Sequence, residues 1–320
     1  MMRIAVLDDY QGAALTSADW RSLHPDAQIE AFPEHIANED ALARKLHPFE
    51  AVVLMRERTA FPAKLIERLP NLRLIVSAGM RNAAIDVEAA TARHIQVCGT
   101  EMMGPPTAEL AWGLILALAR HIPQEDAATR QGKWQTPLLG TMLHGKTLGI
   151  LGLGRLGSQI AKFGKAFGMT LIAWSHNLTD AKAEEHGARR VEKDALFAAS
   201  DVLTIHLALS PRSRGLVGAA DLGRMKPSAY LVNTSRGPIV DEAALIDCLK
   251  ARRIAGAALD VYDVEPLPKD HPLLRLDNVI LTPHLGYGTE EAYRTVYGQA
   301  VEAIRAFLDG KAVRPINTLT

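Results

Sequence analysis

The chain has 320 residues, 48% of them hydrophobic and 22% charged, and its 36 lysines and arginines are balanced by 36 aspartates and glutamates. That length and apolar share fit two domains, and a formal net charge of zero excludes the basic field of a nucleic-acid binder. Two cysteines without C-x-x-C spacing, no apolar run of spanning length and an N-terminus that enters a strand at once argue against disulfides, metal, membrane and secretion, and for a cytoplasmic protein.

Residues 3–99 alternate short apolar runs with helical stretches. Strands are predicted at Arg3–Leu7, Gln28–Phe32, Ala51–Leu54, Leu72–Val76 and Ile95–Val97. Helices are predicted at Asn38–Leu46, with an acidic start, at Pro62–Arg68, with proline in its first turn, and at Asp86–Arg93. This alternation implies a parallel sheet covered on both faces. Glu101–Pro106 breaks the rhythm. Thr107–His121 then reads as a helix, apolar almost all round and therefore buried, that bridges to a second domain. There the strands are predicted at Lys146–Leu151, Thr170–Trp174, Val202–His206, Tyr230–Asn233, Ala255–Leu259 and Val279–Leu281. Helices follow at Arg155–Phe167, Lys193–Ala198, Asp241–Arg252 and Thr289–Asp309, and the segment beyond is expected to return to the first domain.

Gly152, Gly154 and Gly157 have the G-x-G-x-x-G spacing of a dinucleotide-binding turn and lie between a predicted strand and a predicted helix. One glycine permits the tight turn, the second lets backbone approach a pyrophosphate, and the third lets helix pack on strand. The helix N-terminus adds unpaired N–H groups and a positive dipole end.

Ligands of such sheets bind at the carboxyl ends of the strands. Arg236, Asp260 with Glu265, and His284 each follow a predicted strand of the second domain, on the edge that carries the glycine turn. An arginine grips a carboxylate with two parallel hydrogen bonds. A histidine gives or takes a proton near neutral pH, and a neighbouring carboxylate stabilises its imidazolium. With a nicotinamide as hydride source, these groups suit the reduction of a 2-oxo acid.

Four segments carry a resemblance to a known family: Gly149-Ile-Leu-Gly-Leu-Gly-Arg-Leu-Gly157, Leu231-Val-Asn-Thr-Ser-Arg-Gly-Pro-Ile-Val-Asp241, Ala257-Ala-Leu-Asp-Val-Tyr-Asp-Val-Glu-Pro266 and Asn278-Val-Ile-Leu-Thr-Pro-His-Leu-Gly286. In that order they resemble the D-isomer-specific 2-hydroxyacid dehydrogenases. The resemblance implies an α/β fold of two doubly wound parallel-sheet domains: a flavodoxin-like substrate domain, residues 1–100 completed by 287–320, and a Rossmann NAD(P)-binding domain, residues 101–286. It implies a catalytic trio of Arg236, Glu265 and His284. Arg155 and Leu156 stand where backbone amides meet the pyrophosphate, and Asp260 where the nicotinamide carboxamide is held. His206, Leu207, Thr234 and Gly286 are implied to line the cofactor. Ser77, Ala78 and Gly79 match the loop whose backbone grips the substrate carboxylate. Family members are commonly homodimers, and some relatives are nucleotide-sensing corepressors, which supplies an alternative reading.

Two segments depart from the family pattern. Ser175, followed by His176, stands where NAD-preferring members carry an acid for the ribose hydroxyls, and no arginine occurs in Ser175–Asn177, so NAD and NADP both remain open. In the substrate loop, Asn82 stands early and Arg81 is added, so the particular 2-oxo acid stays open. Arg56 and Arg58 would suit a second anionic group on the substrate, or else pair with Glu57. Trp134 would cover a cleft, meet a partner subunit or pack internally.

Overall fold

The computed structural model of the protein describes residues 1–319, in two compact units: residues 1–103 together with 288 onwards, and residues 104–287.

In the first unit, β1 (Met2–Val6), β2 (Ala27–Ala31), β3 (Ala51–Leu54), β4 (Leu74–Ser77) and β5 (Gln96–Gly99) alternate with α1 (Glu39–Leu46), α2 (Ala63–Ile66) and α3 (Val87–Ala92). All pairings are parallel, in the order β2-β1-β3-β4-β5. This is the flavodoxin order, with its switch point between β1 and β3. Every residue of β3, β4 and β5 is buried, as an unbroken apolar run covered on both faces requires. α1 starts where the Asn38 side chain accepts the Ala41 N–H, at 2.9 Å, and its acidic first turn and basic last turn complement the helix dipole.

The second unit opens with α4 (Pro105–Arg120) and α5 (Ile122–Arg130). The expectation that the Pro-Pro segment lies outside the bridging helix is corrected here: the prolines form its first turn, where a missing N–H costs nothing. His121, in the left-handed region at φ 52°, separates α4 from α5. Then come β6 (Thr147–Leu151), α6 (Arg155–Ala166), β7 (Thr170–Trp174), α7 (Asp180–Glu185), β8 (Arg189–Arg190), α8 (Lys193–Ala199), β9 (Val202–Ile205), α9 (Ala219–Leu222), β10 (Tyr230–Asn233), α10 (Glu242–Lys250), β11 (Gly256–Leu259) and β12 (Val279–Leu281). The sheet is parallel throughout, in the order β12-β11-β10-β9-β6-β7-β8. It is a doubly wound Rossmann sheet whose strand order reverses between β6 and β9. Trp112, Leu114, Ile115 and Leu118 of α4 join the core on one face of this sheet, but Leu110, Leu116 and Ala117 stay partly exposed, so the helix is not buried all round.

α11 (Glu290–Leu308) belongs to the first unit and packs on β4. The chain beyond it runs antiparallel beside β5, bridging Cys98 and Pro315. There the Asn317 side chain accepts from the Val97 N–H and the Gln96 amide and donates to Thr91 Oγ1 and the Ile95 carbonyl, all between 2.7 and 2.9 Å. The otherwise open edge of the sheet is thereby closed. Among the described residues no helix is long and apolar enough to cross a membrane, and no group of three or more potential metal-ligating side chains occurs.

Candidate active site

The glycine turn lies at the switch point of the second sheet. Its first amide, Gly152 N–H, donates to the Trp174 carbonyl at the end of β7, while His206 N–H donates to Leu151 O at the end of β6. Gly152 has φ 104°, and a methyl group there would come within 2.9 Å of the His206 backbone. At Gly157 a methyl would come within 2.1 Å of the Gly152 carbonyl oxygen, so α6 can start at this height only with glycine. Beside Gly154, by contrast, there is open space. Arg155 and Leu156 occupy the first turn of α6, whose N–H groups have no partner within the helix. At the carboxyl ends of the neighbouring strands β9 and β10, His206 Nδ1 and Thr234 Oγ1 are shielded from solvent and have no hydrogen-bond partner. His206 Nε2 sits 2.8 Å from Thr204 Oγ1, and burial pushes the imidazole down to about 4, so it is neutral at pH 7. Open space by a phosphate-binding turn and two orphaned polar atoms are the features a bound dinucleotide would fill and satisfy.

Leu207 is half-buried and packs on the apolar core below that edge. At the end of β7, Ser175 is half-buried and His176 exposed, its ring tilted 55° against Trp174 at 4.9 Å.

Two loops bring the acid and the histidine together. His284 Nδ1 lies 2.6 Å from Glu265 Oε2, and the other carboxylate oxygen accepts the Tyr262 N–H at 2.9 Å. Burial alone would raise the Glu265 carboxyl. The hydrogen bond and charge of His284, the Tyr262 amide and the nearby Arg236 guanidinium outweigh it and hold the group below its ordinary value. Arg236 is thus in the same electrostatic neighbourhood. It is half-buried, with Nη1 donating to its neighbour's carbonyl, Ser235 O, and its own carbonyl accepting from Asn233 Nδ2. His284 itself has left-handed backbone, φ 55°, a strained state for a residue with a side chain.

Asp260 shows what holds that strain. It is fully buried, and its carboxylate accepts three hydrogen bonds from the chain around His284: Thr282 Oγ1 at 2.6 Å, Leu285 N–H at 2.7 Å and Gly286 N–H at 2.9 Å. Gly286 O in turn accepts from Thr107 Oγ1. Desolvation raises the Asp260 carboxyl despite these donors. The residue that resemblance assigns to the carboxamide therefore also clamps the histidine loop. Sequence reading missed this, because all three donors lie 22 to 26 positions away.

In the first unit, Arg56 and the segment Ser77–Gly79 meet. Arg56 follows β3 at the switch point, with φ 56°. Its Nη1 lies 2.8 Å from where a methyl on Gly79 would sit, and its Nε is 3.6 Å from Glu57. Asn82 ties the two together, donating to the Arg56 carbonyl at 2.7 Å and to Ser77 Oγ at 3.1 Å. Ser77, Ala78 and Gly79 are buried, and two of their amides are already engaged: Ala78 N–H by Leu54 O, and Gly79 N–H by Thr100 Oγ1. Arg58 turns to the β1 end, donating to Asp8 O and lying over the Tyr10 ring; Arg81 is exposed.

Residues 112–286 match the family model of the D-isomer specific 2-hydroxyacid dehydrogenase NAD-binding domain. The chain is 41% identical over 279 residues to a D-3-phosphoglycerate dehydrogenase of Archaeoglobus fulgidus, an alignment covering 87% of this chain and 53% of that one. It is 38% identical over 283 residues to a hydroxypyruvate reductase of Thermotoga maritima, covering 87% of this chain and 90% of the relative. A phosphoglycerate oxidoreductase structure from Vibrio cholerae superposes with a TM-score of 0.92 at 39% identity, covering 97% of this chain and 100% of that one. The chain spans about half the length of the first curated relatives it matches, 53, 50 and 48% of three phosphoglycerate dehydrogenases.

Proposed function

Because the chain belongs to the D-isomer-specific 2-hydroxyacid dehydrogenase family, we propose that it moves a hydride between NAD(P)H and C2 of a small 2-oxo acid, interconverting the acid with its D-2-hydroxy form. The observation that carries this reading is the 2.6 Å contact between His284 and an ionised Glu265 close to Arg236.

Each group has a defined task. Arg236 binds the substrate carboxylate with its guanidinium fork, which fixes the 2-oxo group relative to the histidine. With Nδ1 of His284 engaged by Glu265, Nε2 is the nitrogen that gives its proton to the substrate oxygen in reduction and takes it back in oxidation. Glu265 stabilises the imidazolium and fixes the ring plane. Asp260 keeps the strained loop in place. Gly152, Gly154 and Gly157, with the Arg155 and Leu156 amides, would hold the pyrophosphate, and His206, Leu207, Thr234, Asp260 and Gly286 would line the rest of the dinucleotide. When bound there, the nicotinamide supplies or accepts the hydride. In the first unit, Arg56 beside Ser77–Gly79 is the proposed anion-binding group for substrate.

The test follows NADH and NADPH absorbance with glyoxylate, hydroxypyruvate, pyruvate and bulkier 2-oxo acids. Turnover of at least one is expected; none at high enzyme concentration refutes the reading.

The family reading also proposes a homodimer, and the cysteine usage a cytoplasmic protein. Cys98 and Cys248 are free and buried, as suits a reducing compartment. A groove of about 510 Å³ between α4 and residues 140–144 is flanked by Leu139 and Met142, 90% and 71% exposed, and Trp134 is 85% exposed. Such apolar surface suits a second copy. Sedimentation of the wild type at twice the chain mass, and of Leu139→Asp as a smaller species, is the expected result.

A further inference from the structure

Arg212 sits at the tip of a turn in the loop after β9. Ser213 fixes that turn: its hydroxyl donates to Ala208 O at 2.7 Å and accepts the Ser210 N–H at 2.8 Å. β9 and β7 flank β6, so the loops that follow them lie on either side of the glycine turn. From the β9 side, Arg212 reaches the loop after β7, with Nη2 3.4 Å from Asn177 Oδ1. There it joins Ser175 and His176, and no acid occurs between Thr170 and Thr179. The nearest acid along the chain, Asp180, stands 3.9 Å from Arg190. The loop thus offers a hydroxyl, an imidazole and a guanidinium where a carboxylate would otherwise bind ribose hydroxyls. The arginine missing from Ser175–Asn177 is supplied from 35 residues away.

We propose that Ser175, His176 and Arg212 form a subsite for the 2′-phosphate of the adenosine ribose, and that the protein prefers NADP over NAD. The proposal rests on the dinucleotide reading above and adds the specificity of that site. A phosphate dianion there meets a planar donor fork and no repelling carboxylate, whereas a plain ribose finds no carboxylate to accept from both of its hydroxyls.

Calorimetry separates the two claims, using 2′-phospho-ADP-ribose and ADP-ribose as ligands that undergo no turnover. The phosphorylated ligand should bind at least about tenfold tighter, and Arg212→Ala should erase most of that advantage while changing ADP-ribose affinity less than about threefold. Arg212→Lys should keep part of the preference, and Ser175→Asp should reverse it. The preference should also shrink as salt is raised. Equal or tighter binding of ADP-ribose by the wild type overturns the subsite while leaving the dinucleotide site intact. Equal losses for both ligands in a folded Arg212→Ala make the residue merely structural and likewise overturn it. Binding of neither ligand by the wild type sinks the dinucleotide reading itself.

Discussion

Lowering the pH from 7 to 5 should cost the second unit stability through His206, and His206→Gln should remove that cost. Burial pushes the imidazole down to about 4 from an ordinary value of 6.5. The unfolded chain therefore takes up a proton near pH 6.5 that the folded unit refuses until about pH 4. Stability is lost as pH falls through that window, and by pH 5 the loss from this one group reaches at most about 2 kcal/mol. A unit of this size shifts its midpoint by about 2–4 °C per kcal/mol, so the wild type should lose up to about 4–8 °C more than the variant between the two pH values. Tryptophan fluorescence is a suitable probe, because Trp112, Trp134 and Trp174 lie in this unit and only Trp20 lies in the other. Comparing wild type and variant at both pH values cancels the other titrating groups. Parallel pH dependences would show that the folded state protonates His206 freely, and the account of a neutral, buried imidazole beside the glycine turn would fail.

The remaining predictions concern the active site. His284→Ala should lower turnover by a hundredfold or more, about the contribution of a lost general acid, while cofactor titrated by fluorescence binds as before; near-normal turnover would remove the histidine from the mechanism. Glu265→Gln removes the carboxylate that lies 2.6 Å from His284 Nδ1 and should lower kcat about tenfold or more in steady-state kinetics, because the ring loses the group that fixes its plane; an unchanged kcat would exclude Glu265 as its partner. Asp260→Ala strips three donors of their acceptor and should cost at least about 2 kcal/mol in chemical denaturation, with a fall in kcat. Asp260→Asn, which retains an acceptor oxygen, should be milder, and equal effects of the two would argue against the clamp. Gly157→Ala forces a methyl within 2.1 Å of the Gly152 carbonyl and should weaken dinucleotide binding more than tenfold by calorimetry.

Most of the fold was legible because buried parallel strands are short, continuous apolar runs. Ala51–Leu54, Thr170–Trp174, Tyr230–Asn233 and Val279–Leu281 stand in the structure with the bounds their sequence predicts. The elements that escaped carry no such signal. β8 is two arginines at a sheet edge, α7 is polar on nearly every side, and α9 is a single turn. α5 was hidden because nothing local announces a left-handed histidine that stops one helix and starts another. At the site, sequence position alone put Arg236, Glu265 and His284 on neighbouring loops, since parallel strands deliver their carboxyl ends to one edge. It gave no sign of the Asp260 clamp, the Asn82 tie or the approach of Arg212, because each joins segments whose proximity exists only after the sheet has formed. The engaged amides of Ala78 and Gly79 were invisible for the same reason: their acceptors, Leu54 O and Thr100 Oγ1, belong to neighbouring strands and loops.

The closure of the first sheet by Asn317 bears on how this polypeptide comes off the ribosome. Residues 1–103 belong to a unit that lacks its last edge partner until Asn317, 220 positions beyond Val97, has been translated. The nucleotide-type unit, made of one uninterrupted stretch, has everything it needs sooner. Nascent β1–β5 must therefore wait with an unsealed margin, and chaperone engagement should concentrate on that interval.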